Sequence, residues 1–276
     1  MIALTFAAYG MGEINTVYGL FAGAAVFLAA FVVWERRISY PIMDLQLFKI
    51  RAVTGGVVAM LFNIMAWTAV LLLLSLQFQL VLNETPLEAG LRILPFEIAF
   101  LAVGPLSGRL ADKYRPAPFI ITGLALSSVT LFLFSTTNQT TPYAVLTLYM
   151  VLLGVGTGLF VAPNLRAVLS AVPEKRRGIG SALFSLFLNL GFTVSLNFAI
   201  FIMSLTVPYA LITQILSSVN PATITLADKI LFIDSLKNTY LALGIINAVA
   251  VLPSLLQITR KPMEKTQKPL IITPEG

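Results

Sequence analysis

Cysteine and histidine are both absent from this chain of 276 residues, and charged residues make up only 11% of it. The lack of cysteine excludes disulfides and thiol nucleophiles, and the lack of histidine removes imidazole bases and the usual zinc ligand sets. The charge content is far below the roughly 25% of soluble domains. We therefore expect neither a metal site nor a bound cofactor, and we do not expect an enzyme.

Apolar residues are abundant instead, at 58% of the chain, with a mean hydropathy of +0.90. They form seven blocks long enough for a helix to cross about 30 Å of hydrocarbon. The blocks lack the two-residue alternation of barrel strands, so an all-α integral membrane protein is predicted. A partial segment precedes them, and the seven cover residues 17–34, 53–79, 89–109, 117–135, 143–163, 179–203 and 238–258.

Basic residues alternate along the chain, although the net charge of +6 is modest. They cluster after the first, third, fifth and last segments, for example at Arg36, Lys113, Arg176 and Lys261. By the positive-inside rule these ends are cytoplasmic, which predicts a multi-pass plasma-membrane protein with a cytoplasmic C-terminus. The expected partner is therefore the lipid bilayer and not nucleic acid. The connection 204–237 is expected to hold an interfacial helix over Pro208–Val219, and the tail 259–276 is expected to be disordered.

The sharpest motif follows the third segment and reads GRLADKYR over 108–115. It resembles the G-x-L-A-D-[R/K]-x-G-[R/K] signature of the major facilitator superfamily. The resemblance implies that Gly108 permits close helix approach, and that Asp112 and Lys113 belong to a charge network that gates the cytoplasmic side. Arg115 stands where the family usually has glycine. The alternative is a generic charged helix end that obeys the positive-inside rule.

Three further stretches are similar to the fourteen-helix drug:proton antiporter branch of that superfamily. They are the run from Gln79 to Pro95, the linker PIMDLQLF over 41–48, and the turn PEKRRG over 173–178. The resemblance implies a C-terminal six-helix half at 53–258, built as two inverted repeats of three helices. Residues 1–52 would hold a partial helix, one full extra helix and a cytoplasmic loop. We expect the N-terminal half to lie on the same or another chain, and this chain to be a fragment.

Glu97 is the clearest charge within an apolar segment, and Arg92 lies just inside the same segment. Gly90, Glu97, Gly104 and Gly108 are spaced so that they share one helix face. We therefore expect Glu97 to face a packed helix or a cavity. A charge there is costly, which favours a role in proton coupling or substrate binding. The alternative is a protonated glutamic acid that joins helices by a hydrogen bond.

Polar residues recur every four positions in the sixth full segment, at Ser181, Ser185, Asn189, Thr193 and Asn197. Such a stripe either lines a substrate path or joins neighbouring helices by hydrogen bonds. Asn63 and Trp67, one turn apart in segment 53–79, are further cavity candidates, although a buried tryptophan is more often simple packing. The small-residue pairs Gly154/Gly158 and Gly123/Ser127 are expected to mark close helix contacts.

The expected function is membrane transport by alternating access. The family resemblance implies proton-coupled export of a small amphipathic or drug-like molecule, with the proton gradient as energy source. A second hypothesis is a membrane scaffold or regulatory subunit that keeps the half-fold without transporting.

Overall fold

The structure is a computed structural model that describes residues 14–35, 37, 45–208, 212 and 225–257. The predicted partial segment at 1–10, the linker residues 41–44, the tail 259–276 and nearly all of the predicted interfacial helix lie outside these residues. The described part is helical, and its helices are α1 Ile14–Glu35, α2 Arg51–Val81, α3 Pro86–Lys113, α4 Pro116–Phe134, α5 Tyr143–Ala171, α6 Arg177–Ser204, α7 Leu226–Val249 and α8 Val251–Leu255.

Six helical stretches are long and apolar enough to cross a membrane, and they correspond to six of the seven predicted segments. Each holds an 18-residue window of mean hydropathy 1.5 or higher. The remaining predicted segment, 17–34, lies within α1. The prediction of an all-α membrane protein is therefore confirmed. The six stretches are Arg51–Val81, Pro86–Lys113, Pro116–Phe134, Tyr143–Ala171, Glu174–Ser204 and Ala227–Leu255.

Helix starts and turns follow from local sequence. Thr85 caps α3 through a capping box with Glu88, which satisfies backbone N–H groups that have no partner inside the helix. Pro86 occupies the first helical position, where a missing N–H costs nothing. Asn83, in the turn before it, has φ 52°, a left-handed conformation that asparagine tolerates better than most residues. These features make a tight reversal between α2 and α3.

The predicted start of the last segment at residue 238 is wrong. Helix α7 begins at Leu226, where Thr225 and Asp228 form a second capping box. Lys229 and Lys237 therefore belong to the helix and not to the preceding connection. Lys237 pairs with Asp234 at 2.8 Å, one turn earlier on the same helix. A helix can extend beyond the hydrocarbon because it satisfies its own backbone, so hydropathy alone placed this start about three turns too late.

Glycines bring α5 close to two neighbouring helices, which confirms the prediction for both small-residue pairs. A Cβ added at Gly154 would overlap the Phe96 carbonyl oxygen of α3, and one at Gly158 would lie 3.1 Å from the Gly104 nitrogen. Gly156 faces the other way, and a Cβ there would lie 2.5 Å from the Ser127 hydroxyl of α4. The sequence G-x-G-x-G over 154–158 thus seats α5 between α3 and α4, because small residues let backbones approach.

The six bundle helices form two triplets, α2–α4 and α5–α7, and the contacts made by the helices of one triplet recur for the corresponding helices of the other. The contact of α3 with α5 has its counterpart in α6 with α2, and that of α4 with α5 in α7 with α2. Equivalent hydrogen bonds join the first two pairs. Ser107 of α3 donates to the Gly158 carbonyl at 2.7 Å, and Ser195 of α6 donates to the Met65 carbonyl at 2.8 Å. The contact pattern of the first three helices thus recurs in the second three, which is the pattern that two repeats of three helices would give.

The linker helix Leu45–Lys49 is seated on the start of this bundle. Leu47 is buried in the core cluster that also contains Val53 and Phe184. The ring of Phe48 lies 5.9 Å from that of Phe187 on α6, and Thr54 donates a hydrogen bond to the Phe48 carbonyl at 2.7 Å. The described part of the linker motif is therefore an integral part of the fold.

Candidate functional site

The face of α3 that carries Glu97 is uncovered in this chain. Glu97 is exposed, and a Cβ added at Gly90 or Gly104 would meet nothing within 4 Å. No described helix therefore packs against Glu97, and of the two expectations, a packed helix or a cavity, neither is met or excluded within the described residues. Gly90 and Gly104 leave the face that they share open in this part of the chain. A mid-helix carboxylate on an open face is costly in lipid, so this face is suited to a cavity or a further protein surface.

The polar stripe of α6 is also uncovered over most of its length. Ser181, Ser185, Asn189 and Thr193 are exposed, whereas Asn197 is buried. Asn189 donates to the Ser185 carbonyl of its own helix at 2.8 Å. The Asn189 side chain therefore donates to the backbone of its own helix and not to a neighbouring helix. Of the two interpretations for the stripe, the open location favours a path or contact surface over hydrogen bonding between helices of this bundle.

Trp67 of α2 links the two uncovered helices through aromatic contacts. Its ring stacks on Phe96 of α3 at 5.2 Å and meets Phe192 of α6 edge-on at 5.9 Å. Phe100 completes the group at 6.2 Å. The Trp67 indole Nε1 is buried without a hydrogen-bond partner in the described residues. Trp67 is half-buried, so it serves as packing and also borders the open side between α3 and α6.

Asn63 does not line a cavity, which corrects the prediction made for it. The side chain is buried and its Nδ2 donates to Asn247 Oδ1 of α7 at 2.9 Å. Asn247 in turn donates to the Ser128 hydroxyl at 2.9 Å and to the Leu124 carbonyl at 3.2 Å, both on α4. These bonds join α2, α4 and α7 in the bundle core. The Asn63 Nδ2 is satisfied by its bond to Asn247, whereas Asn63 Oδ1 is buried without a hydrogen-bond partner in the described residues. The bond joins two helices, so Asn63 serves the packing of the bundle.

Arg92 lies at the α2–α3 end of the bundle and is held by its neighbours. Its side chain forms an ion pair with Glu84, and the guanidinium carbon lies 4.6 Å from the centre of the Tyr143 ring. The Tyr143 hydroxyl donates to the Arg92 carbonyl oxygen at 3.0 Å. The Glu84 side chain is 11% exposed, so this pair is partly withdrawn from water and is stronger than a surface pair. Arg92 joins the α2–α3 turn to the start of α5.

The residues of the signature motif occupy the last turn of α3 and the start of α4. Asp112 forms an ion pair with Arg166 of α5. Lys113 lies 5.7 Å from the Tyr114 ring centre, and Arg115 precedes α4 as its exposed N-cap residue. A Cβ at Gly108 would lie 3.4 Å from Ala162 Cβ, which is ordinary contact. The closest approach of α3 to α5 is therefore made by Gly154 and Gly158, and Gly108 contributes little.

The sequence did not indicate Arg166, Tyr143 and Asn247 as functional or structural partners. Arg166 follows the predicted segment 143–163 and lies inside α5, which continues to Ala171. Arg166 stands two residues after Asn164 in an otherwise apolar helix, and a charged residue in such a place indicates a functional or structural partner. Tyr143 and Asn247 are 51 and 184 residues from the groups that they contact, so no local pattern identifies these pairs.

Comparisons with known proteins agree with this architecture. A tetracenomycin C resistance and export protein of Streptomyces glaucescens is 26% identical over 176 residues, 64% of this chain and 32% of that protein. A multidrug resistance protein of Mycobacterium tuberculosis is 32% identical over 185 residues, 67% of this chain and 34% of that protein. A multidrug efflux pump of Mycolicibacterium smegmatis is 27% identical over 174 residues, 63% of this chain and 34% of that protein.

The chain thus spans about a third of the length of these relatives. A family model described as Major Facilitator Superfamily matches residues 56–271, which include all six candidate spans from α2 onward except the first five residues of α2. This multi-pass membrane chain therefore belongs to the major facilitator superfamily of transporters.

Proposed function

We propose that the chain is the C-terminal half of a drug exporter that works by alternating access. The observation that carries the proposal is the pair of uncovered faces on α3 and α6, which bear Glu97 and the stripe from Ser181 to Thr193. In a facilitator, substrate binds near the membrane midplane between two six-helix halves. Polar groups on these faces would cost free energy if they faced lipid. They are explained if both faces line a cavity between the two halves.

The second half would come from an N-terminal segment on the same or another chain. The chain resembles the fourteen-helix antiporter branch, and relatives about three times as long as the matched region support a second half. Under this proposal the substrate is a small drug-like molecule, as the names of the exporter relatives suggest. A proton gradient drives export, and the basic end of the bundle, with Asp112 and Arg166, faces the cytoplasm of the cell.

Glu97 is the proposed proton-coupling residue of this half. Its carboxylate is on the open face, and a group that binds and releases a proton must reach the transport pathway. The test is proton-driven efflux of a cationic dye from proteoliposomes that contain the chain together with a candidate N-terminal half. Glu97→Gln is expected to abolish or shift the pH dependence of efflux. Glu174→Gln, which alters an exposed carboxylate at the basic end, is the matched control and should leave it unchanged.

Two results would count against the proposal. Saturable efflux by a demonstrated monomer of this chain alone would show that no second half is required. Stable pairing with the second half but no flux of any tested substrate would favour a scaffold or regulatory subunit. Efflux with unchanged pH dependence in Glu97→Gln would reduce Glu97 to a structural residue while leaving the half-transporter proposal in place.

A further inference from the structure

Pro95 divides α3 into two parts. Proline has no N–H, so the Leu91 carbonyl oxygen lacks the hydrogen bond that residue 95 would otherwise donate. We call the preceding residues, Pro86–Leu94, the N-terminal segment of α3. Its own start is secured by the Thr85–Glu88 capping box. The segment is therefore a helical unit that can tilt at Pro95 without unfolding.

One side of this segment is open and the other is seated on the bundle. Leu87 and Leu91 are 72% and 55% exposed, whereas Ala89 is fully buried in the core cluster that contains Phe78 and Phe96. Ala89 and the half-buried Ile93 are the apolar contacts of the segment with this cluster. Ala89 would be uncovered if the segment moved away from the bundle.

The principal polar contacts of the segment are those of Arg92, which lies one turn before the proline. We call Glu84, Arg92 and Tyr143 the Arg92 clasp. Tyr143 ties the segment to α5, since its ring lies under the guanidinium and its hydroxyl donates to the Arg92 carbonyl. The ion pair with Glu84 ties Arg92 to the turn that precedes the segment and holds the guanidinium in place against the Tyr143 ring. A charge-assisted pair and a cation–π contact are each stronger than a neutral contact at the same place.

The geometry points to the N-terminal segment of α3 as a gate that is hinged at Pro95 and held closed by the Arg92 clasp. Arg92 is then a positioning residue for transport and not a ligand of the substrate. This inference rests on the proposed alternating-access function. It extends that function by assigning a closing device to the end of the bundle opposite Asp112 and Arg166. Opening on this side releases the Arg92 clasp while the pair at the basic end stays formed.

Two further features fit this assignment. Between the two ion pairs, α3 is pinned to α5 by Gly154 and Gly158, so only the part before Pro95 is free to swing. A cavity of about 70 Å³ adjoins Tyr143, bordered also by Gln77, Thr141 and Leu146. It gives the Tyr143 ring room to turn aside when Arg92 leaves. Phe78, whose ring centre is 5.9 Å from the guanidinium carbon, forms another wall of this cavity.

Thiol labelling in this cysteine-free chain tests the gate directly. Ala89 and Ala111 are buried alanines at the two ends of α3, so Ala89→Cys and Ala111→Cys are matched reporters. In nanodiscs, Arg92→Gln should raise the labelling rate of the residue-89 reporter about tenfold or more, the size expected for loss of a charge-assisted contact. The rate of the residue-111 reporter should not change. Asp112→Asn should leave the rate of the residue-89 reporter unchanged, and Arg92→Lys should fall between the parent and Arg92→Gln.

An unchanged rate at residue 89 in Arg92→Gln would overturn the inference. Equal acceleration of both reporters would also overturn it, because that result means general loosening. If Ala89→Cys does not fold, Leu146→Cys reports from the facing side of α5, where the side chain is 4% exposed. None of these measurements needs transport, so a failure of the proposed function leaves the labelling result interpretable.

Transport assays with a second half add an independent readout. As a positioning residue, Arg92→Gln should change the maximal efflux rate and leave the half-saturating substrate concentration within about twofold. A rise in the half-saturating concentration with an unchanged maximal rate would mean that Arg92 binds substrate, which contradicts the gate.

Discussion

The glycine contact between α5 and α3 gives a quantitative prediction for Gly154→Ala. The new methyl group would overlap the Phe96 carbonyl oxygen, lie 3.0 Å from Ala99 Cβ and lie 3.1 Å from the Phe100 nitrogen. Carbon atoms pack best at about 3.5–4.0 Å, so the two helices must separate by roughly 0.5 Å or more at Ala99 alone. Backbone atoms cannot rotate away as a side-chain end can, so the strain falls on the helix pair. Overpacking of this kind costs about 1–3 kcal/mol.

Helix propensity works in the opposite direction and must be cancelled by a control. Replacing a mid-helix glycine by alanine gains up to about 1 kcal/mol. Gly90 is the matched site, since it lies inside α3, a Cβ there would meet nothing within 4 Å, and the residue after it is not a proline. The difference in free energy of unfolding between Gly154→Ala and Gly90→Ala therefore isolates the overlap. We expect Gly90→Ala to be more stable by about 1–3 kcal/mol, roughly 5- to 150-fold in the folding equilibrium.

Reversible unfolding in mixed micelles, with SDS as denaturant and far-ultraviolet circular dichroism as signal, measures this difference on the isolated chain. Equal stabilities for the two variants would refute the reasoning, because they would mean that α5 does not approach α3 through Gly154. A loss in both variants would instead indicate that the face of Gly90 is covered in the micelles, by self-association of the chain. The oligomeric state in the micelles must therefore be measured alongside.

Two other predictions follow from the hydrogen bonds and the charge pattern. Asn247→Leu leaves Asn63 Nδ2 unpaired in the core and should lower the free energy of unfolding by about 1–3 kcal/mol. The double variant Asn63→Leu/Asn247→Leu should recover part of that loss, and additive losses in the same unfolding assay would contradict the pairing. For sidedness, Gln139→Cys should react with an impermeant maleimide in intact cells and Lys175→Cys should not, both positions being exposed; the reverse pattern would invert the topology.

Hydropathy was sufficient to predict the number and order of the bundle helices, since lipid admits few alternatives to a spanning helix. It was insufficient for the start of α7, where Asp228, Lys229, Asp234 and Lys237 lower the apolar content of a region that is nevertheless helical. The capping-box pattern of Thr225 and Asp228 marks that start in the sequence, where hydropathy does not. Small-residue spacing predicted the α5 contacts well, because a four-residue step places such residues on one face.

For the candidate sites, the sequence could predict which residues share a face of one helix, but not which residues of other helices contact them. Spacing showed that Gly90, Glu97 and Gly104 share a face, but it could not show whether any described helix covers that face. Asn63 and Trp67 looked equivalent in the sequence, and they differ because Asn247, on a distant helix, pairs with one of them. For Arg92 the decisive neighbour is Tyr143, which local patterns around residue 92 do not reveal.

The repeated helix contacts relate the two uncovered faces to each other. Helices α3 and α6 are the second members of their triplets, and each donates one serine hydroxyl to a backbone carbonyl of the first helix in the other triplet. The two helices thus occupy corresponding places in the two triplets, although the uncovered face of one bears Glu97 and that of the other bears hydroxyls and amides. Under the proposed function a second facilitator half covers both faces, and Glu97 is then the carboxylate that they contribute to the wall between the halves.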